Sequence, residues 1–252
     1  MNRRGWLIGA LATVTAATLS ACDRAVYAVT DQARRMSEGL TRRAQRLVVP
    51  REALAPTYGR ADISPDFRPN GSIDPAASDY LALKANAFAD YRLIIDGLVE
   101  RPLSLGLAEL RARPARTQIT KHDCVEGWTS IAEWTGVRLE TLLDEAGLKP
   151  EARYLVFHCF DALDQREDGE RYYESIDLID ARHPQTILAY GMNGEVLPVP
   201  HGAPLRLRVE RQLGYKHAKY IRRIEAVESF AHLGRGKGGY WEDRGYEWYA
   251  GI

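Results

Sequence analysis

The stretch Tyr190-Gly-Met-Asn-Gly-Glu-Val-Leu-Pro-Val-Pro-His-Gly-Ala-Pro-Leu-Arg-Leu-Arg-Val209, followed at once by Leu213-Gly-Tyr-Lys-His-Ala-Lys-Tyr-Ile221, decides how the chain is read. Asn193-Gly194 between two apolar runs is a hairpin signal, because both residues tolerate the positive φ of a tight turn. Leu205 to Glu210 and Tyr220 to Val227 read as strands. Within thirty residues the stretch supplies His201, Arg206, Lys216, His217 and Lys219 around flexible glycines. These are the groups needed to hold a phosphate and hydrogen-bond a polar ring. Solvated charges on a strand face are the competing reading, and for Arg208 and Arg211 it is the expected one.

Outward from this stretch the pattern is mixed. Tyr91 to Leu98 reads as a strand with an Asp96-Gly97 turn, and Thr117 to Val125 as another. Between them, Ser104 to Arg113 has the spacing of a short helix. Val137 to Gly147 places Leu139, Leu142 and Leu143 on one face and stops at a glycine, as a capped helix does. Ala152 to Phe160 returns to strand. No fixed repeat or regular βαβ alternation appears, so the class is α+β, one core domain of mixed sheets with flanking helices.

The chain has 252 residues, 45% hydrophobic and 27% charged, which is ordinary for a globular protein. Its 34 basic and 34 acidic side chains leave no global field to recruit nucleic acid, so that class of partner is excluded. Three cysteines without a CxxC pair make neither a disulfide scaffold nor a zinc ribbon. At the start, Asn2-Arg-Arg-Gly-Trp-Leu7 precedes an uncharged run from Trp6 to Ala21, shorter than the roughly 20 residues of a comfortable membrane span. It resembles a twin-arginine export signal, whose route carries folded, cofactor-loaded proteins; an ordinary secretory signal is the alternative. Leu19-Ser-Ala-Cys22 resembles a lipoprotein processing site, which would lipidate Cys22 and tether a periplasmic protein to the membrane; simple cleavage near Ala21 is the alternative. Residues 1–21 are therefore expected to be a signal. Residues 22–78, with clustered arginines and later prolines at 50, 56, 65, 69 and 75, are expected to be a basic tether and an irregular approach, and 79–252 the core.

Cys124 lies in Lys121-His-Asp-Cys-Val-Glu-Gly-Trp128, at a strand end turning through Gly127. Such positions present reactive groups on a rigid frame, and a thiolate is a soft metal ligand favoured beside positive charge. Pairing with Cys159 in an oxidising compartment, or an inert buried thiol, are the alternatives. A weaker reading groups His122, Cys124, His158 and Cys159 as a zinc or copper site.

The Cys124 turn, the Met-Asn-Gly…Leu-Pro…His-Gly-Ala-Pro-Leu-Arg run and the Tyr-Lys-His-Ala-Lys-Tyr-Ile segment, in this order, resemble the molybdopterin-binding domain of the sulfite oxidase family from about Asp79 to the end. The resemblance implies a molybdenum-molybdopterin cofactor with Cys124 as the protein's ligand to the metal. It places His201, Arg206, His217 and Lys219 against the pterin and its phosphate, Asn86 at the cofactor, and Cys159 as a cofactor-side wall residue. Trp241 and Tyr246 have the spacing of a family pair whose tyrosine reaches the substrate, while Trp248 and Tyr249 are expected to plug the core.

The implied activity is oxygen-atom transfer to or from a sulfite-like molecule or a small S-oxide or N-oxide. Lacking a haem domain, the chain would exchange electrons with a separate cytochrome or membrane partner. Two departures matter. Relatives place an arginine next to the asparagine matched to Asn86, where this chain has Ala85 and Lys84. The compact plan resembles bacterial methionine sulfoxide reductases, yet His201 stands where those carry asparagine. A metal-free, lipid-tethered binding module of the same fold is the reading of a different class.

Overall fold

The computed structural model describes residues 37–164, 166 and 169–252. The expected signal and Cys22 lie outside the described residues. The chain divides into two units, 1–49 and Pro50–Ile252. In the first, residues 37–48 form a helix, and among the described residues no helix is long and apolar enough to cross a membrane.

The second unit is built on two five-stranded sheets. One has the order β2 (Leu103–Gly106), β1 (Arg92–Gly97), β10 (Ile221–Val227), β5 (Tyr154–Ala162) and β6 (Arg171–Asp177). Only its β1–β10 pair is parallel. The other runs β3 (Ala115–Asp123), β4 (Thr129–Arg138), β7 (Ile187–Met192) and β8 (Glu195–Val196), with β9 (Arg206–Arg208) also paired to β7. The main core joins Leu93, Ile95, Leu155 and Phe157 of the first sheet to Leu139, Leu142 and Leu143 of the helix Leu139–Ala146 and to Leu188 and Leu207 of the second. Burial of these apolar side chains, each worth about 1.5–3 kcal/mol, drives the two sheets together.

The hairpin at Asn193-Gly194 joins β7 to β8, with φ of 52° and 83°. Gly147 ends the Leu139–Ala146 helix at φ 69° as expected. At Gly136 a Cβ would lie 2.1 Å from the Leu188 carbonyl oxygen, so only glycine admits the β4–β7 register shift there.

Three expectations need correction. Ser104–Arg113 is helical only over Leu107–Arg111, because Leu103–Gly106 is drawn into an antiparallel ladder with β1. The irregular approach before Asp79 is not a free tether. From Pro50 it packs into the unit: Gln185 brackets Ala55 through two hydrogen bonds of 2.8 and 3.0 Å, Thr57 bridges Thr120, and Phe67 joins the Trp134 core. Arg208 and Arg211 are buried, not solvated. Arg208 is held by Glu210, and Arg211 by Asp180 at 2.6 Å.

Candidate functional site

Cys124 caps the β3–β4 hairpin. The turn is closed by Gly127 N–H donating to the Cys124 carbonyl (3.0 Å) and Cys124 N–H donating to that of Trp128 (2.9 Å), with Gly127 at φ 84°. The Cys124 residue is 8% exposed. Asn70 and the Glu126 backbone lie beside its sulfur; burial pushes the thiol up, eased by these neighbours and by the Arg68 charge. Cys124 opens into a cleft of about 740 Å³, mouth included, together with Asn70, Asp161, His217, Lys219 and Tyr246.

Tyr246 is set by aromatic packing. Its ring stacks on Trp241 at 5.1 Å and meets Tyr215 edge-on at 5.1 Å, and its N–H donates to the Trp241 carbonyl. Trp248, expected to plug the core, is half-buried, stacked on Phe230 and donating to Ser175 Oγ at 2.8 Å.

Beside and beneath the cleft, the bases His122, His201, Arg206, Arg208, His217 and Lys219 crowd one another. Arg208 pairs with Glu210 and donates at 3.0 Å to His122 Nδ1, which puts the ring proton of neutral His122 on Nε2. His217 donates from Nε2 to the Gln212 carbonyl at 3.0 Å, leaving Nδ1 a bare acceptor. Arg206 donates to the His201 carbonyl at 2.9 Å and lies 4.7 Å over the Trp134 ring. Lys219 donates to the carbonyls of Asn70 (2.7 Å), Pro200 (3.1 Å) and Ser72.

Burial first, and the neighbouring cations second, push Arg206 down to about 9, Lys219 to about 7 and His201 to about 4, and hold His122 and His217 well below the ordinary histidine range. Nε of Arg206, Nε2 of His122 and Nδ1 of His217 are buried with no hydrogen-bond partner. A buried group of mutually repelling cations with orphaned donors and an acceptor fits an anionic, ring-bearing ligand, and the sulfur nearby fits a soft metal.

The structure brings Cys124, Tyr246, His217 and Lys219 to one cleft and sets Arg206 and His201 beside it, next to Lys219: the charges of Arg206 and Lys219 both lower His201, and that of Arg206 lowers Lys219. Two expected residues lie elsewhere. Asn86 ends the helix Ser78–Ala85, donating to Asp90 at 2.6 Å and accepting from Ala89 N–H. Cys159 is fully buried and lines a separate pocket with His158, Arg171 and Arg222, which shares Tyr172 with the first. Both thiols are free, so the Cys124–Cys159 disulfide is absent. His158 pairs with Glu225 at 2.8 Å, and among the described residues no three His, Cys, Asp or Glu side chains converge on a metal, which removes the zinc or copper reading.

Missed from sequence were Asn70, which lines the cleft, and Arg68, whose charge acts on Cys124. They sit in proline-broken chain without periodicity; the only local cue was Phe67-Arg-Pro-Asn70 itself.

The family model for the oxidoreductase molybdopterin binding domain matches residues 80–232. The chain belongs to this family. The family is one of molybdopterin-binding oxidoreductase domains, and the fold is of the sulfite oxidase type. A protein of Azospira oryzae named "Putative protein-methionine-sulfoxide reductase subunit YedZ1" is 41% identical over 163 residues, which are 65% of this chain and 56% of that one. The protein-methionine-sulfoxide reductase catalytic subunit MsrP of Gluconobacter oxydans is 37% identical over 55% of this chain and 47% of its own. Among solved structures, the sulfane dehydrogenase SoxCD from Paracoccus pantotrophus aligns with a TM-score of 0.50 and 30% identity, over 56% of this chain and 39% of that chain. The chain thus spans about half the length of the curated relatives it matches.

Proposed function

We propose that the protein reduces an S-oxide by removing its oxygen atom, with electrons arriving from a separate redox partner. The observation that carries this reading is the sharing of one cleft by Cys124 and Tyr246, next to the buried cationic group that fits a phosphate-bearing pterin. When bound, the cofactor supplies two-electron oxygen-atom exchange. Cys124 would hold the metal, Asn70 would fix the Cys124 sulfur, and Arg206, His201, His217 and Lys219 would hold the pterin and its phosphate. Tyr246, backed by Trp241 and Tyr215, donates a hydrogen bond to the oxygen being transferred.

The charge of the cleft favours a neutral, dipolar substrate over a doubly charged oxyanion. Its lining mixes Lys219 with Glu126 and Asp161, and adds the aromatic faces of Tyr215, Trp241 and Tyr246. A thioether S-oxide, apolar on two sides and polar at oxygen, matches that lining. Relatives named as protein-methionine-sulfoxide reductase catalytic subunits support the same direction, and the word subunit supports a separate electron-transfer partner. Export by the twin-arginine signal and a lipid tether on Cys22 complete the proposal, placing the enzyme at the periplasmic face of a membrane.

The test is a panel of methionine sulfoxide, dimethyl sulfoxide, an N-oxide and sulfite on cofactor-loaded protein, with an artificial electron donor or acceptor. Turnover of the S-oxides exceeding sulfite oxidation supports the reading; sulfite oxidation alone reverses the direction and overturns it.

A further inference from the structure

Removing oxygen from an S-oxide consumes protons as well as electrons: one sulfoxide, two electrons and two protons give one thioether and one water. The S–O bond breaks, sulfur gains the electron pair from a reduced one-electron carrier acting twice, and both protons leave in water. The cleft must therefore hold a group that gives up a proton near the reacting atoms.

Asp161, next to last in β5, is 3% exposed yet lines the cleft with Cys124, Tyr246 and His217. Its Oδ1 has no hydrogen-bond partner. The nearest cation does not neutralise it by contact, since Lys219 donates its three hydrogens to the carbonyls of Asn70, Ser72 and Pro200. Ser72 lies beside the carboxyl, its Oγ donating to the Ala162 carbonyl at 3.5 Å, and the other groups that face it are Tyr80 from the helix Ser78–Ala85, Tyr172 from β6, Tyr220 beside Lys219, and Cys159 on its own strand. Among the described residues, no arginine or ammonium pairs directly with this carboxylate. A buried carboxyl without a paired cation is costly as an anion, which is the condition that keeps a proton available on it.

We infer that Asp161 is the acid of the cleft, handing a proton to the oxygen that leaves the substrate and recovering it from solvent through the cleft mouth. The inference rests on the S-oxide reading above. Burial, opposed by Ser72 and Lys219, raises the carboxyl to about 6, close to working pH, where a proton donor is most effective.

The experiment compares wild type, Asp161→Asn and Asp161→Glu, all loaded in cofactor-producing cells, reducing dimethyl sulfoxide with reduced methyl viologen from pH 5 to 9. We expect wild-type kcat to fall on an alkaline limb. Asp161→Asn should lower kcat by about 100-fold or more at pH 6 and lose the limb, while retaining wild-type molybdenum content. Asp161→Glu should restore a limb with a displaced midpoint. Independently of turnover, infrared difference spectra of cofactor-free wild type should show a protonated carboxyl band lost on raising the pH through about 6, and absent in Asp161→Asn. An unchanged pH profile in Asp161→Asn overturns the assignment, as does loss of molybdenum, which would make Asp161 a cofactor-holding residue. A wild type inert toward S-oxides overturns both readings, whereas an active wild type matched by Asp161→Asn overturns Asp161 alone.

Discussion

Replacing Lys216 with methionine should destabilise the cofactor-free protein severely. The Lys216 ammonium is fully buried between Glu174 and Glu242, and it donates to an Oε1 of each. Burial opposes its charge, but the two carboxylates hold its proton more firmly than in water. Burial and the neighbouring Glu242 push the Glu174 carboxyl well above the usual range. The group therefore approaches neutrality with one proton on the carboxylate pair. Methionine fills similar volume but strands a buried carboxylate, a loss of about 3–5 kcal/mol. For a unit of this size about 2–4 °C accompanies each kcal/mol, so the melting temperature should drop by about 6–20 °C at pH 7.

Calorimetry on cofactor-free wild type, Lys216→Met and Lys216→Met/Glu174→Gln/Glu242→Gln tests this. The triple variant should recover most of the loss, because it removes the stranded charge. The gap between Lys216→Met and wild type should also narrow toward pH 5. Without the lysine, the folded-state carboxyls are raised above their unfolded values, so their protonation favours the folded state at low pH. A drop below about 3 °C, or a triple variant no better than the single, would refute the reasoning.

Cys124→Ser should fold yet contain no molybdenum, measured by elemental analysis of protein from cofactor-producing cells. Tyr246→Phe should slow S-oxide reduction by about 100-fold with metal content intact, as expected for loss of one donor to a developing oxyanion; unchanged kcat would return Tyr246 to packing. Asn70→Ala should lower molybdenum occupancy while Asn86→Ala leaves it unaltered, and the opposite pattern would restore Asn86 to the site. In cofactor-free protein, Lys219 has a folded value of about 7 against 10.5 unfolded, so the unfolded chain binds more protons between those limits and stability rises with pH across them. The melting temperature of wild type relative to Lys219→Met should therefore climb from pH 7 to 9.5; a flat or falling difference contradicts the buried, uncompensated lysine.

The parts of the fold legible in the sequence were those with strong local signals: the Asn193-Gly194 hairpin, the Leu139–Ala146 helix with its glycine stop, and the apolar strands β1, β3, β5 and β10. Strand β6, Arg-Tyr-Tyr-Glu-Ser-Ile-Asp, gave no alternation, because its polar Glu174 and Ser175 are buried against partners far along the chain, Lys216 and Gly238. Arg208 and Arg211 read as solvated because the burial of their ion pairs with Glu210 and Asp180 exists only once the chain is folded.

In the sequence, glycine-bounded motifs pointed to Cys124, His201, Arg206, His217, Lys219 and Tyr246, which the structure gathers at or beside one cleft. The site was illegible at Asn70, Arg68 and Asp161. The first two lie in irregular chain whose position is set by Lys219 and Phe67, and Asp161 looks like any strand-end aspartate until the bare Oδ1 is seen.

On this account one sulfur, at Cys124, and the buried cations beside it would hold a molybdenum–pterin group. Elemental and pterin analysis of wild type and Cys124→Ser purified from cells that make the cofactor tests it most directly. Stoichiometric molybdenum with pterin in wild type, and molybdenum missing from the serine variant, is the result expected. Folded wild type free of both molybdenum and pterin would contradict it.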